Sequence, residues 1–242
     1  MITTFISVLW FGAVNVIAIL LINSKKQAEH LLKFFSCLLL IYKSTEYIYY
    51  NIKGYSNAFP VEFSAVTYFL FPIVYLLRIK KLEQLAVFCA LFSGFFYMFT
   101  FLFVGSGMFK YNGGAFKTLI TFFNHSLLYF LAILKLKFYK YNKSDIYKVI
   151  VGMFLIIFYA WAMKPFIKLD DSVIFVYKLI DGSIINLIIP SFKGFNNFMP
   201  LYYLSIILVS VFALNFCYKI NRRLYLFNLK KSYFERLLYI EK

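Results

Sequence analysis

Charge is scarce in this 242-residue chain: Asp, Glu, Lys and Arg together make 15% of it, and only 10 residues are acidic. A soluble domain carries about a quarter charged residues, so the shortage argues against a soluble enzyme and against a disordered chain. Cysteines number 3, an odd count, and Cys37, Cys89 and Cys217 lie far apart. That excludes a disulfide framework and a local metal motif; all of them sit in apolar stretches and read as small buried hydrophobes. With 2 histidines, one of them (His30) in a loop, an all-His metal site is impossible. The glycines make no phosphate-cradling loop, because Gly105, Gly107, Gly113 and Gly114 lack the surrounding pattern. The expected metal and cofactor content is therefore none.

What the chain has instead is apolar bulk, 62% hydrophobic residues with a mean hydropathy of +0.76. A formal charge of +16 tempts a nucleic-acid reading, but no soluble domain is available to carry a basic face. Of the 26 cations only Arg78, Arg222, Arg223 and Arg236 are arginine, and 32 Phe and 21 Tyr accompany the lysines. Such a composition reads as the codon drift of an AT-rich bacterial genome. Membrane lipids are the expected partners, nucleic acid is not, and the cell membrane is the expected location; the oligomeric state stays open.

A helix needs about 20 largely apolar residues to cross the hydrocarbon core. Seven stretches qualify: 4–22, 32–50, 60–77, 82–104, 116–136, 146–163 and 198–219. The first has no basic residues before it and carries Lys25 and Lys26 after it, the reverse of a cleaved leader, so it reads as a retained span. With an outside N-terminus, and cations at span ends counted with the adjoining loops, the loops expected inside and the tail hold 18 cations, the opposite loops 7, and Lys43 alone lies deeper within a span. That imbalance obeys the positive-inside rule. The expected fold is all-α: a polytopic transmembrane bundle of about seven spans, N-terminus outside, C-terminus cytoplasmic. Residues 1–220 form one transmembrane domain and 221–242 a basic amphipathic tail. Residues 172–190 are apolar but interrupted by Lys178, Asp181 and Gly182, and read as re-entrant or interfacial rather than an eighth span.

An ionisable group inside a span is costly and therefore a functional candidate. His125 lies near the middle of the fifth span, with Thr121 and Tyr129 on its face at i, i+4 spacing and Asn124 beside it. An imidazole there can serve as base, proton relay or orienting donor; the bland alternative is an interhelical bond that fixes packing. Glu62 follows Pro60, which suits the first helical position and would put the carboxylate among free N–H groups. Ser64 is two residues on, about 200° round a straight helix, so it faces away from Glu62. Lys43 and Glu46 are spaced i, i+3 as an ion pair. Ser93, Tyr97 and Thr100 make a polar stripe, with Gly94 permitting close helix approach.

Pro60-Val-Glu-Phe-Ser64, followed after a basic hairpin by Asn124-His125-Ser126, resembles the YwaF/TMEM164 family of integral membrane proteins. That family shows a Pro-Leu-His-Leu-Cys-type motif opening one helix and a Ser-His-Gly-type motif in a later one. Pro200-Leu-Tyr-Tyr-Leu is similar to the opening of the family's last helix, and the resemblance covers roughly residues 55–220. It implies lipid chemistry, namely movement of a fatty acyl chain between phospholipids without coenzyme A. It maps the family histidine onto His125, the cysteine nucleophile onto Ser64 and the motif histidine onto Glu62, the last two being departures. A serine, unlike a thiol, needs a positioned base; His125 would take its proton and Glu62 would orient the imidazole. Asn124, Thr121, Tyr129 and Tyr97 would line the substrate pocket. The rival readings are a proton-coupled transporter or permease subunit, which predicts broken helices and internal symmetry, and a non-enzymatic membrane scaffold.

Overall fold

Apolar runs with few helix breakers produce helices, and in the computed structural model, which describes residues 2–55, 59–111, 114–163, 166 and 199–240, the regular structure is all helical. In chain order they are α1 (Ile2–Val16), α2 (Lys25–Ile52), α3 (Phe63–Leu76), α4 (Glu83–Val104), α5 (Gly107–Tyr111), α6 (Ala115–Phe138), α7 (Ile146–Met163) and α8 (Met199–Ile240). No strand occurs among the described residues. Among the described residues three segments, Thr3–Leu21, Lys80–Val104 and Ala115–Phe138, are long and apolar enough to cross a membrane, and Phe63–Leu76 is a shorter apolar helix. The expected interruption at 172–190 lies outside the described residues. The expected boundary at 220 falls inside α8, which runs through it without a break.

The exterior is apolar and the interior carries the polar groups. Phe5, Leu9, Leu21, Phe34, Ile41, Phe103, Phe154 and Phe158 are exposed, whereas Ser36, Lys43, Thr67, Ser93, His125 and Lys135 are buried. In water such an exposed surface would be a liability; in a bilayer it is the expected one, and it suits an integral membrane protein.

Helices α4 and α6 form the centre. They pack on each other; α4 also meets α1, α3 and α7, while α6 meets α1, α2, α5 and α8. Gly94 is why the central pair comes so close. A Cβ at that position would stand 2.6 Å from the His125 carbonyl oxygen and 2.7 Å from the Tyr129 backbone nitrogen. Only the missing side chain lets the two backbones meet. Leu128, Leu131, Leu134, Met98 and Phe71 fill the surrounding core.

Where the turns α1–α2, α3–α4 and α6–α7 gather, the polar groups are tied across helices. Tyr75 Oη donates to the Glu29 carbonyl (3.2 Å), Tyr139 Oη to Glu29 Oε1 (3.0 Å), and Lys135 pairs with Glu83. The Lys135 ammonium also lies 3.3 Å from the Tyr139 ring centroid. Burial, with the Glu29 carboxylate next in importance, pushes the Tyr139 phenol above its ordinary range.

Lys137 is fully buried and reaches the end of α1, which closes in a π turn over Ile17–Leu21. Its ammonium donates to the carbonyls of Ala18 (3.4 Å), Ile19 (2.6 Å) and Ile22. Helix-end carbonyls carry partial negative charge and lack intrahelical donors, so the buried cation supplies what the end of α1 is missing. The sequence treats Lys135 and Lys137 as loop cations; the structure buries both, each with its own partners. Asn221 anchors α8 to the same region. Its amide donates to the carbonyls of Leu136 (2.8 Å) and Tyr139 (2.7 Å) and accepts from the Tyr141 amide (3.1 Å).

Candidate functional site

Four helices supply a polar cluster in the middle of the bundle, and His125 of α6 is its hub. The ring is buried, 6% exposed. Its Nδ1 lies 3.0 Å from the Ser93 carbonyl oxygen and 3.2 Å from the Ser93 hydroxyl on α4. A carbonyl can only accept, so the shorter contact makes Nδ1 the protonated nitrogen and leaves Nε2 as the basic one. Tyr97, one turn beyond Ser93, stacks on the imidazole with centroids 4.1 Å apart and planes 2° from parallel. Tyr68 of α3 meets the same ring edge-on at 5.6 Å. Ring plane and tautomer are thereby both set by α3 and α4.

Helix α2 completes the cluster. Lys43 is buried and pairs with Glu46 at 2.6 Å, as their i, i+3 spacing predicts. Its ammonium lies 4.5 Å from the Tyr68 ring centroid, a cation–π contact. Glu46 also accepts from Tyr50 (3.1 Å) and, at the limit of a hydrogen bond, Tyr42 (3.4 Å). A buried ion pair is strong only when its remaining atoms are bonded, and these phenols provide that. Asn124, beside His125 on α6, is half-buried.

The other residues singled out by sequence are distributed as follows. Glu62 is exposed and occupies the position before α3, where its side chain makes no capping bond. The helix starts at Phe63, later than Pro60 suggests, because the Val61 N–H closes a tight turn onto the Phe59 carbonyl (2.9 Å), Glu62 is extended, and Val61 is buried against Ala160 of α7. Ser64 is half-buried in the first turn of α3. The bonds of the imidazole go to Ser93, and among the described residues no hydrogen bond joins His125 to Ser64 or to Glu62. Tyr129 is buried and donates to Asn15 Oδ1 of α1 at 2.9 Å; Thr121 bonds back to the Lys117 carbonyl at 2.9 Å. Thr100 likewise bonds within its own helix, to the Phe96 carbonyl at 2.8 Å.

Sequence reasoning passed over Tyr68. Its signal is positional: it falls four residues after Ser64, hence on the same face of α3. Four residues later again comes Pro72, inside the helix. Proline has no N–H, so the Tyr68 carbonyl loses the donor that residue 72 would otherwise give it. Bundles tolerate such a break where neighbouring helices pack around it.

Gln84 Oε1 and the Tyr141 hydroxyl are also buried without hydrogen-bond partners among the described residues, and both line a separate small cavity beneath Asn221 and Cys217. That cavity is at the α8 docking region, away from His125. Among the described residues no group of three or more His, Cys, Asp or Glu is placed to hold a metal ion. No protein-family model, curated protein or solved structure matches this chain.

Proposed function

We propose that this chain is an integral membrane protein of the YwaF/TMEM164 type, whose buried polar cluster handles the acyl group of a lipid. The single observation that carries the reading is the fixed imidazole: His125 Nδ1 is committed to the Ser93 carbonyl at 3.0 Å, and Tyr97 holds the ring plane. A general base needs one nitrogen occupied so that the other stays available in a known direction. In this reading Nε2 takes a proton from the attacking hydroxyl and returns it to the departing one. Ser64 is the hydroxyl the family resemblance nominates, half-buried at the start of α3 and on the face that Tyr68 shares. Exposed Glu62 stands at the entrance rather than as an orienter of the imidazole, a task already performed by Ser93. The same proposal includes seven spans in a bacterial cell membrane, N-terminus outside and basic C-terminal tail inside.

The test is acyl transfer in liposomes holding the purified protein, a labelled phospholipid and a lysophospholipid acceptor. The expected outcome is label in the acceptor, reduced about 100-fold or more by His125→Ala, as for loss of a general base. Loss with Ser64→Ala as well would identify the nucleophile; retention would assign that role to another group. Absence of transfer with the wild-type protein across headgroups and chain lengths overturns the acyltransferase reading.

A further inference from the structure

We propose that the Tyr68 hydroxyl is a binding group for the carbonyl oxygen of a long-chain acyl ester, which enters beside Ser64 and Glu62 at the start of α3. The proposal rests on the acyl-handling reading of this cluster and names the group that would hold the substrate.

Tyr68 is 5% exposed, and its hydroxyl has no hydrogen-bond partner among the described residues. A phenol buried in that way normally finds a partner. Its neighbours have found theirs. Thr67 bonds to the Phe63 carbonyl at 2.7 Å, Glu46 accepts from Lys43 and Tyr50, and His125 Nδ1 is held by Ser93. Tyr68 is thus a donor left over beside Thr67, Glu46 and His125 Nδ1, which are already bonded.

Its direction favours a ligand from one side. Side chains on a helix lean toward the N-terminus, so the Tyr68 ring leans back over the turn that carries Ser64. That end of α3 is accessible, with Glu62 exposed and Ser64 half-buried. An apolar path begins there too: Phe63 meets Phe92 edge-on at 5.9 Å, and Phe92 meets Phe96, whose ring is exposed, at 4.3 Å. A fatty chain matches that row, and its ester head would then reach Tyr68.

The electrostatics select the kind of oxygen. The nearest cation, Lys43, is already neutralised by Glu46 at 2.6 Å, and Glu62 adds a carboxylate at the entrance. A second negative charge gains nothing in that setting, whereas a neutral ester carbonyl accepts the unused O–H without adding one. The site should therefore prefer an ester to the free fatty acid anion.

The experiment uses the full-length protein in dodecyl maltoside with methyl palmitate carrying 13C at the carbonyl, followed by isotope-edited infrared spectroscopy. The expected result is a saturable 13C=O band at lower wavenumber than in protein-free micelles, lost in Tyr68→Phe. Palmitate should compete poorly. Tyr68→Phe keeps the ring against His125 and removes an unpaired hydroxyl, so its melting temperature should be equal to or above that of the wild type. A shifted band that persists in Tyr68→Phe, or no shifted band in the wild type, overturns the proposal. A band that depends on Tyr68 in a protein that transfers no acyl group leaves this site standing and removes the enzymatic reading. Transfer without the band removes Tyr68 alone.

Discussion

At the scale of single residues, the polar atoms inside this bundle divide into those with an assigned partner and those without. Lys137 belongs to the first group. Its ammonium serves three carbonyls at the end of α1, and its side chain has no access to water. Hydrogen bonds to a charged group contribute about 1.5–3 kcal/mol, and leaving acceptors unpaired costs more than replacing both partners. Lys137→Met should therefore destabilise the protein by about 2–3 kcal/mol, read as a lowered thermal midpoint in detergent. A midpoint within a degree of the wild type would show that the α1 carbonyls find other donors. Tyr68 belongs to the second group, which is why removing its hydroxyl is expected to be harmless to the empty protein and harmful to binding.

At the scale of elements, the contact between α4 and α6 decides where His125 points. Gly94 and Gly152 make a useful contrast. A Cβ at Gly94 would strike the α6 backbone, at 2.6 Å from the His125 carbonyl oxygen. One at Gly152 would meet the Leu85 side chain at 2.3 Å, the movable end of a flexible group. Overpacking costs roughly 1–3 kcal/mol, and backbone has nowhere to go. Gly94→Ala should fall at the upper end of that range and impair any His125-dependent activity, because it pries Ser93 and Tyr97 from the imidazole. Gly152→Ala should cost less and be rescued by Leu85→Ala. Thermal midpoints of the two single variants and the Gly152→Ala, Leu85→Ala pair check this. Equal losses at the two glycines would mean that α4 and α6 can separate freely.

For the whole molecule, the arrangement of charge follows from how the chain is threaded. The α1–α2, α3–α4 and α6–α7 turns meet at one end through Glu29, Tyr75, Glu83, Lys135 and Tyr139, and Lys231 of α8 reaches Asn23 there at 2.6 Å. Those turns hold 11 cations in the alternating count, against 7 in the opposite loops, and the tail adds 7 more to their side. If that end faces the cytoplasm, green fluorescent protein fused to the C-terminus will fluoresce in a bacterial host. Alkaline phosphatase fused after residue 59 will be active. The opposite pattern would invert the proposed topology and put the Glu62 entrance on the inner side.

The sequence alone determined the class of the molecule. A chain with 15% charged and 62% hydrophobic residues has no soluble surface to offer, and long apolar runs leave helix as the form that satisfies their backbone in lipid. It also carried the local pairings: Lys43 with Glu46, and the close approach at Gly94, follow from spacing and size within one helix. What faces what across helices was not legible. The motif resemblance points from His125 to Ser64, whereas packing gives the imidazole to Ser93, because α4 rather than α3 is the helix that a glycine brings into backbone contact with α6. Lys135 and Lys137 read as solvated loop charges for the same reason. Periodicity records the face a residue occupies, but only the tertiary structure decides which helix end, carboxylate or carbonyl covers that face.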